Sequence, residues 1–237
     1  MANNYFNFKQ FTINQNKCAF KVGTDGVLFG ACADLTGAER ILDIGTGTGL
    51  VAIMSAQRCN ADIVAIEPDY SSYEQACENV NNCKWKTRIR VINQDLQKFS
   101  TYIDQKFNLI LTNPPYFRDS LKSPDPGRTA ARHTDTLNSN ELLNGVSILL
   151  SDRGTFQLIM PYTEGTLFIA EAGGFGLFCT RLIKIKPFPS GEIIRLIMKF
   201  ERNRKPVTES FLSLETGTRH SYTEEYKNVT RDFYLKF

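Results

Sequence analysis

The chemistry in this chain is densest at Asp43-Ile44-Gly45-Thr46-Gly47-Thr48-Gly49. Glycines at alternate positions let a backbone turn sharply and approach a ligand with no Cβ in the way. A dinucleotide fingerprint reads G-x-G-x-x-G and sets a pyrophosphate on a helix N-terminus. Here the spacing is G-x-G-x-G, position 50 is leucine, and Asp43 stands two residues before the first glycine. A carboxylate at that point repels a pyrophosphate and suits an ammonium or sulfonium group. Two further carboxylates follow. Glu67 is placed to take the ribose hydroxyls of a nucleoside. Asp95 either meets an adenine amino group or caps a helix.

The second centre is Asn113-Pro114-Pro115-Tyr116. Two prolines fix the backbone and remove two N–H donors, so carbonyl oxygens face the site unopposed. The Asn113 side chain and the Pro114 carbonyl both accept hydrogens from a substrate –NH2, and Tyr116 offers a flat face to a planar group. A conjugated amine is a poor nucleophile because its lone pair is delocalised. Two acceptors on its N–H bonds shift it towards a pyramidal nitrogen, by orientation and electrostatics rather than by a strong base. In this account the ring face of Tyr116 matters and its hydroxyl does not.

Alternating elements must position these residues. Arg40–Ile44, Asp62–Ile66, Ile89–Ile92 and Phe107–Leu111 read as short apolar strands. Helices are expected over Gly49–Arg58, with Leu50, Ile53 and Met54 on one face, and from Ser71. The latter opens on a Ser-x-x-Glu capping box and shows Tyr73, Ala76, Cys77 and Val80 on one face. That rhythm implies βαβ units and a parallel sheet. Phe117 to Asn138 is polar and aperiodic and reads as a long loop, of a length that is uncommon unless the segment is functional or disordered. Glu141–Leu150 then looks helical and Thr155–Met160 a fifth strand. Phe175–Lys186 and Glu192–Phe200, split by Pro187-Phe188-Pro189-Ser190-Gly191, fit an antiparallel pair. The tail, 202–237, reads as an extension adding a strand and a short helix. Residues 1–39 read as a cap on a core of 40–201, rich in strand and with core phenylalanines. A helix N-capped by Thr24 or Asp25 closes that cap.

Composition fits such a domain: 237 residues, 42% hydrophobic and 22% charged. No apolar run reaches the ~18–20 residues of a membrane helix, and no secretory signal is visible at the N-terminus. The net charge of +3 is too small to mark a nucleic-acid binder by itself. Six cysteines without a CxxC pair, and two histidines, give no zinc spacing. We expect buried reduced thiols, no metal, and a cytoplasmic protein.

From Ile41 to Phe200 the set of motifs resembles the class I S-adenosylmethionine-dependent methyltransferases. The resemblance implies a Rossmann-like α/β fold, with a mostly parallel seven-stranded sheet, an antiparallel last hairpin and helices on both faces. It implies that Asp43, Gly45, Thr46, Gly47 and Gly49 hold the amino-acid part of S-adenosylmethionine. Glu67 and Pro68 then hold its ribose, and Asp95 and Leu96 its adenine. Asn113 borders both cofactor and substrate. Asn-Pro-Pro-Tyr resembles the signature of enzymes that methylate exocyclic or amide nitrogen: adenine N6, guanine N2 in related variants, or a glutamine amide in release factors.

The N-terminal stretch separates these targets. Phe6-x-Phe8-x-Gln10-Phe11 leads to Lys21-Val22-Gly23-Thr24-Asp25-Gly26-Val27-Leu28-Phe29-Gly30. It resembles a small family of bacterial tRNA adenine-N6 methyltransferases that modify the adenine next to the anticodon (nucleotide 37) of a valine tRNA. Ala131-Arg132-His133, Tyr222-Thr223-Glu224-Glu225-Tyr226 and Asp232-Phe233-Tyr234 extend the match nearly end to end. That resemblance implies that Lys21, Thr24, Asp25 and Gly26 cover the cofactor and that the anticodon stem-loop is the partner. Release-factor methyltransferases carry a helical domain before the glycine loop, whereas the 42 residues before Asp43 look strand- and cap-like. A non-catalytic module is disfavoured by the intact glycine loop and Asn-Pro-Pro-Tyr.

For RNA, the run from Arg181 to Lys205 holds eight basic and two acidic residues. It reads either as a phosphate-tracking strand pair, with Lys184, Lys186 and Arg195 as contacts, or as a solvated hairpin face. Arg128, Arg132 and His133, in the loop after Tyr116, are placed to order on RNA.

Overall fold

The computed structural model describes residues 3–18, 20–114 and 137–236. Pro115, Tyr116, Arg128, Arg132, His133 and most of the expected 117–138 loop lie outside the described residues.

An N-terminal hairpin, β1 (Tyr5–Asn7) and β2 (Thr12–Asn14), leads to helix α1 (Thr24–Cys32). Then follow β3 (Arg40–Ile44), α2 (Leu50–Arg58), β4 (Asp62–Ile66), α3 (Tyr70–Asn81), β5 (Ile89–Ile92), α4 (Leu96–Tyr102) and β6 (Phe107–Thr112). After the undescribed residues come α5 (Ser139–Leu149), β7 (Leu150–Pro161), α6 (Tyr162–Ala172), β8 (Phe178–Lys186), β9 (Arg195–Glu201), β10 (Thr208–Ser213) and α7 (Glu224–Thr230).

The main sheet has the order β10-β8-β9-β7-β6-β3-β4-β5. All seven expected strands are in it, and the tail supplies an eighth, β10, parallel to β8. β3, β4, β5, β6 and β7 are mutually parallel, whereas β9 runs antiparallel between β7 and β8. The order steps outward from β3 in both directions, so the ends of β3 and β6 form the crevice where open α/β sheets bind ligands. Helices cover both faces. Val27, Leu28, Ile53, Ile63, Ile197 and Tyr226 share one buried cluster. Leu42, Phe99, Leu143, Phe156, Phe168 and Phe200 share the other. Phe156, Phe168 and Phe200 sit with ring centroids 5.8–6.2 Å apart. Truncating one such ring costs about 3–5 kcal/mol.

Several local expectations are corrected. α3 is N-capped by Asp69, whose carboxylate accepts from Ser72 N, and begins before Ser71. Its buried face is Ser72, Gln75, Ala76, Asn79 and Val80, with Tyr73 and Cys77 only half-buried. α1 is capped by Gly23, with Thr24 and Asp25 inside the first turn. β7 starts at Leu150, five residues before the apolar run that marks it in the sequence. Helix α6 has no counterpart among the sequence expectations. All six cysteines are free, but only Cys18 and Cys83 are fully buried.

Among the described residues no helix is long and apolar enough to cross a membrane. Nor are three or more His, Cys, Asp or Glu side chains grouped to hold a metal ion.

Candidate active site

Parallel pairing brings the C-terminal ends of β6, β3, β4 and β5 side by side. In that order they deliver Asn113, the glycine loop, Glu67 and Asp95 to one edge. The ends are stitched together. Gly45 N and Thr46 N both donate to Ile66 O, at 2.9 and 3.1 Å. Glu67 N donates to Ile92 O at 3.1 Å, and Thr112 Oγ1 donates to Ile44 O at 2.8 Å.

The loop's glycines do what their spacing requires. Gly45, Gly47 and Gly49 have φ of +66°, +56° and +81°, a region L side chains avoid. Beyond Gly45 and Gly47 the space a Cβ would take is open, which leaves a cradle along the loop.

Asp43 is almost fully buried, and its Oδ2 accepts from Thr46 Oγ1 at 2.6 Å. Burial pushes its carboxyl up to about 7, partly offset by hydrogen bonds from Thr46 and the Ala52 N–H. Glu67 is also buried, and burial raises it against the opposing pull of two backbone donors. Gly47 N gives to Oε2 at 2.8 Å and Asp69 N to Oε1 at 3.0 Å. A carboxylate oxygen has two lone pairs, so each Oε keeps one acceptor position for a hydroxyl. Among the described residues neither carboxylate has an ion-pair partner. Raised carboxylates without a cation, lining a crevice, mark a site for a cationic, hydroxyl-bearing ligand.

Asp95 caps α4: Oδ1 accepts from Lys98 N at 2.7 Å, and Lys98 Nζ lies 3.2 Å from Oδ2. Burial acts to raise this group, but those bonds outweigh it and hold it low. The cap role is thus present. Leu96 is buried in the core, with Gly145 against it, while Pro68 is exposed.

Asn113 is half-buried and Pro114 buried. Helix α1 reaches them through Gly26: a Cβ there would lie 3.1 Å from Leu50 Cδ2 and 3.6 Å from Asn113 Nδ2. The first turn of α1 therefore borders both the start of α2 and the end of β6. Thr24 and Lys21 are exposed, and Lys21 Nζ sits 3.4 Å from Asn3 O.

The basic strand pair is largely spoken for. Lys184 pairs with Glu209 at 2.6 Å, Arg195 with Asp25 at 2.9 Å, and Lys199 with Asp34 at 3.0 Å. Arg202 donates to the carbonyls of Ser147 and Leu150 at the end of α5. Lys205 pairs with Glu201. Lys186 Nζ reaches Pro189 O at 3.3 Å, and the ammoniums of Lys184 and Lys186 lie over the exposed Phe211 ring.

Buried amides that the sequence reading did not single out hold the N-terminal segment to this edge. Asn79 accepts from Asn14 N at 2.8 Å and donates to Asn14 O at 2.9 Å and Thr48 O at 2.8 Å. It thereby ties β2 to the glycine loop. Gln75 accepts from Lys17 N at 3.0 Å. Gln157 exchanges two 2.8 Å bonds with the backbone of Asp34. The visible signal was Gln75 and Asn79 four apart, beside the apolar face of α3.

Residues 26–132 match the family model described as "Methyltransferase small domain". The chain resembles a "predicted O-methyltransferase" from Agrobacterium tumefaciens in structure. The TM-score is 0.68 at 21% identity, over 88% of this chain and 96% of that one. A glycopeptide N-methyltransferase solved with S-adenosyl-L-methionine has TM-score 0.57 at 11% identity, over 78% and 90%. At such identities the likeness shows the fold. Sequence relatives are much nearer. Two proteins named tRNA1(Val) (adenine(37)-N6)-methyltransferase are 47% identical, from Bacteroides thetaiotaomicron, and 43% identical, from Trichodesmium erythraeum. The alignments cover 99% and 100% of this chain, and the same shares of the relatives. With identity of that order from end to end, this chain belongs to the tRNA1(Val) (adenine(37)-N6)-methyltransferase family.

Proposed function

We propose that this protein transfers a methyl group from S-adenosylmethionine to the exocyclic N6 of an adenine in tRNA. The substrate is adenine 37 in the anticodon loop of tRNA1(Val), as the relatives' names state. The observation that carries the reading is the edge itself. An Asn-Pro end of β6 stands beside the glycine loop and two buried carboxylates, Asp43 and Glu67, that lack cation partners among the described residues.

The donor set fits the cofactor. Asp43 and the open cradle along the loop suit the amino-acid end, the spare acceptor positions of Glu67 suit ribose hydroxyls, and Asp95 suits the adenine amino group. S-adenosylmethionine supplies an electrophilic methyl on a sulfonium centre. The chain's own residues orient the nucleophile. Asn113 Oδ1 and the Pro114 carbonyl accept the two N–H hydrogens of the amine, which localises its lone pair along the line of transfer. The Thr112–Ile44 hydrogen bond and the proline ring hold those acceptors in place. Tyr116 supplies the stacking face. The amine's proton leaves to water once the nitrogen is alkylated, so no strong base is needed. Bases in an anticodon loop are already largely unpaired, and extruding one into the crevice costs little. We place the protein in the cytoplasm with its substrate.

The test is methylation of unmodified tRNA by the purified protein, with nucleosides read by mass spectrometry. N6-methyladenosine that maps beside the anticodon supports the reading. Methylation at N2 of guanine, or only of a release-factor glutamine, overturns it.

A further inference from the structure

Two ion pairs fasten helix α1 and the residues just past it to β9. Asp25, the second residue of α1, pairs with Arg195 at 2.9 Å, and both side chains are about one-quarter exposed. Asp34, just past the helix, pairs with Lys199 at 3.0 Å. Asp25 to Cys32 advances about 10 Å at helical rise, with Ala33 and Asp34 beyond the helix, and the four residues from Arg195 to Lys199 advance about 13 Å. Arg195, Ile197 and Lys199 alternate onto one face of the sheet. Ile197 packs in the same cluster as Val27 and Leu28 of α1.

The two fastenings have different surroundings. At the far end, Gln157 Oε1 and Nε2 also hold the Asp34 backbone, at 2.8 Å each, and Arg58 donates to Gly30 O at 2.8 Å. At the near end, the Asp25–Arg195 pair lies at the active edge. Arg195 is in register with Pro161 of β7, three residues beyond Leu158, the partner of Thr112 on β6. Gly26, next to Asp25, leaves only enough room beside Asn113 that a Cβ there would come within 3.6 Å of its Nδ2.

We propose that Asp25 and Arg195 are a positioning pair for Asn113. Their ion pair fixes the first turn of α1, so that Gly26 forms one wall of the pocket in which the Asn113 amide is held. Arg195 thus acts through α1 and Asn113, and is not an anchor for RNA phosphate. Neither residue touches the reacting atoms. The energy at issue is small, since half-buried pairs contribute little net stability. The effect on rate is larger, because misplacing a reacting group by about 1 Å can cost about a hundred-fold. This inference rests on the reading of Asn113 given above.

Three variants of the full-length protein test it: Asp25→Asn, Arg195→Met and the charge-reversed pair Asp25→Arg with Arg195→Asp. The readouts are kcat and KM on unmodified tRNA, the salt slope of tRNA binding, and hydrogen exchange of the α1 amides without cofactor. Both single variants should lower kcat about ten- to hundred-fold and speed exchange in the first turns of α1. The tRNA salt slope should stay unchanged, and the reversed pair should recover most of the lost rate. An Arg195→Met that weakens tRNA binding and flattens the salt slope, with Asp25→Asn unaffected, would make Arg195 a phosphate contact and overturn the proposal. An Asp25→Asn that loses cofactor affinity while Arg195→Met does not would make Asp25 a ligand contact, with the same result. A wild-type protein that methylates no tRNA would defeat the underlying reading instead. The exchange measurement would still report on the clamp.

Discussion

The glycine-loop edge and the β8–β9 strand pair both carry many charges, and they use them in opposite ways. At the edge, Asp43 and Glu67 are buried, raised, and without a cation among the described residues. On the strand pair the carboxylates are matched. Burial acts to raise Asp34, but the Lys199 ammonium and Thr36 outweigh it and hold the group at about 2. Glu201 is lowered in the same way by Lys205 and Thr180. A run of eight basic residues is more conspicuous in sequence than two isolated acids. Yet four of those eight cations pair with carboxylates within the fold, whereas the acids remain available to a ligand. What marks a site is charge the fold leaves unmatched, not charge density.

The sharpest break in this contrast is at Asn113. Asn113→Ala should lower kcat on the order of 10²–10³-fold, as loss of a group that acts mainly in the transition state does. Cofactor affinity should change much less. Single-turnover methylation separates the two, and a rate near wild type would mean that the amine is activated by other groups. Next comes Glu67→Ala, which removes charge-assisted bonds to a ligand as well as the bridge from Gly47 N to Asp69 N. Cofactor binding should weaken at least about ten-fold. Calorimetry giving unchanged affinity would move the ribose site elsewhere, and equal or tighter binding of NAD would favour a dehydrogenase.

The pH dependences of the two regions should have opposite signs. Asp43 binds its proton more tightly when folded, at about 7 against 3.8 for an ordinary aspartate. The ligand-free protein should therefore lose stability as pH rises from about 4 to 7, and Asp43→Asn should remove that slope. Asp34 binds its proton less tightly when folded. Its contribution is present above its ordinary value and is lost as pH falls towards 2, so Lys199→Met should destabilise at pH 7 and not at pH 2. Thermal melts across pH read both, and slopes of the same sign would erase the distinction. The smallest effects are expected on β8, at Lys186 and Lys184. Lys186→Ala should reduce the salt slope of tRNA binding by about one. Lys184→Ala should reduce it by less, because Glu209 already neutralises that ammonium. Equal slopes for wild type and both variants would shift RNA contact away from β8.

Much of the fold was legible because its signals are local. Short apolar runs ended by Gly45, Glu67 and Asn113 announce parallel strands, and Pro187 to Gly191 announces the reversal between β8 and β9. Helix α6 was not legible, because it follows β7 without a polar cap. β10 was expected only as an unplaced strand of the tail, because it is mostly exposed and shows no clean apolar period. The start of α3 was displaced because Ser71 and Asp69 both make plausible caps, and only the backbone geometry picks Asp69.

The sequence by itself determined the reaction class. The glycine loop, its preceding acid and Asn-Pro-Pro-Tyr are contiguous, and the chemistry of contiguous groups follows from their types. Tertiary structure decided which charges remain for a ligand, because that depends on partners far apart in the chain. Asp25 and Arg195 are 170 residues apart, and Asp34 and Lys199 are 165 apart. No periodicity links such positions. They meet because β9 inserts beside β7 and presents alternate residues to α1, and that pairing turns an apparent RNA contact into a clamp on the active edge.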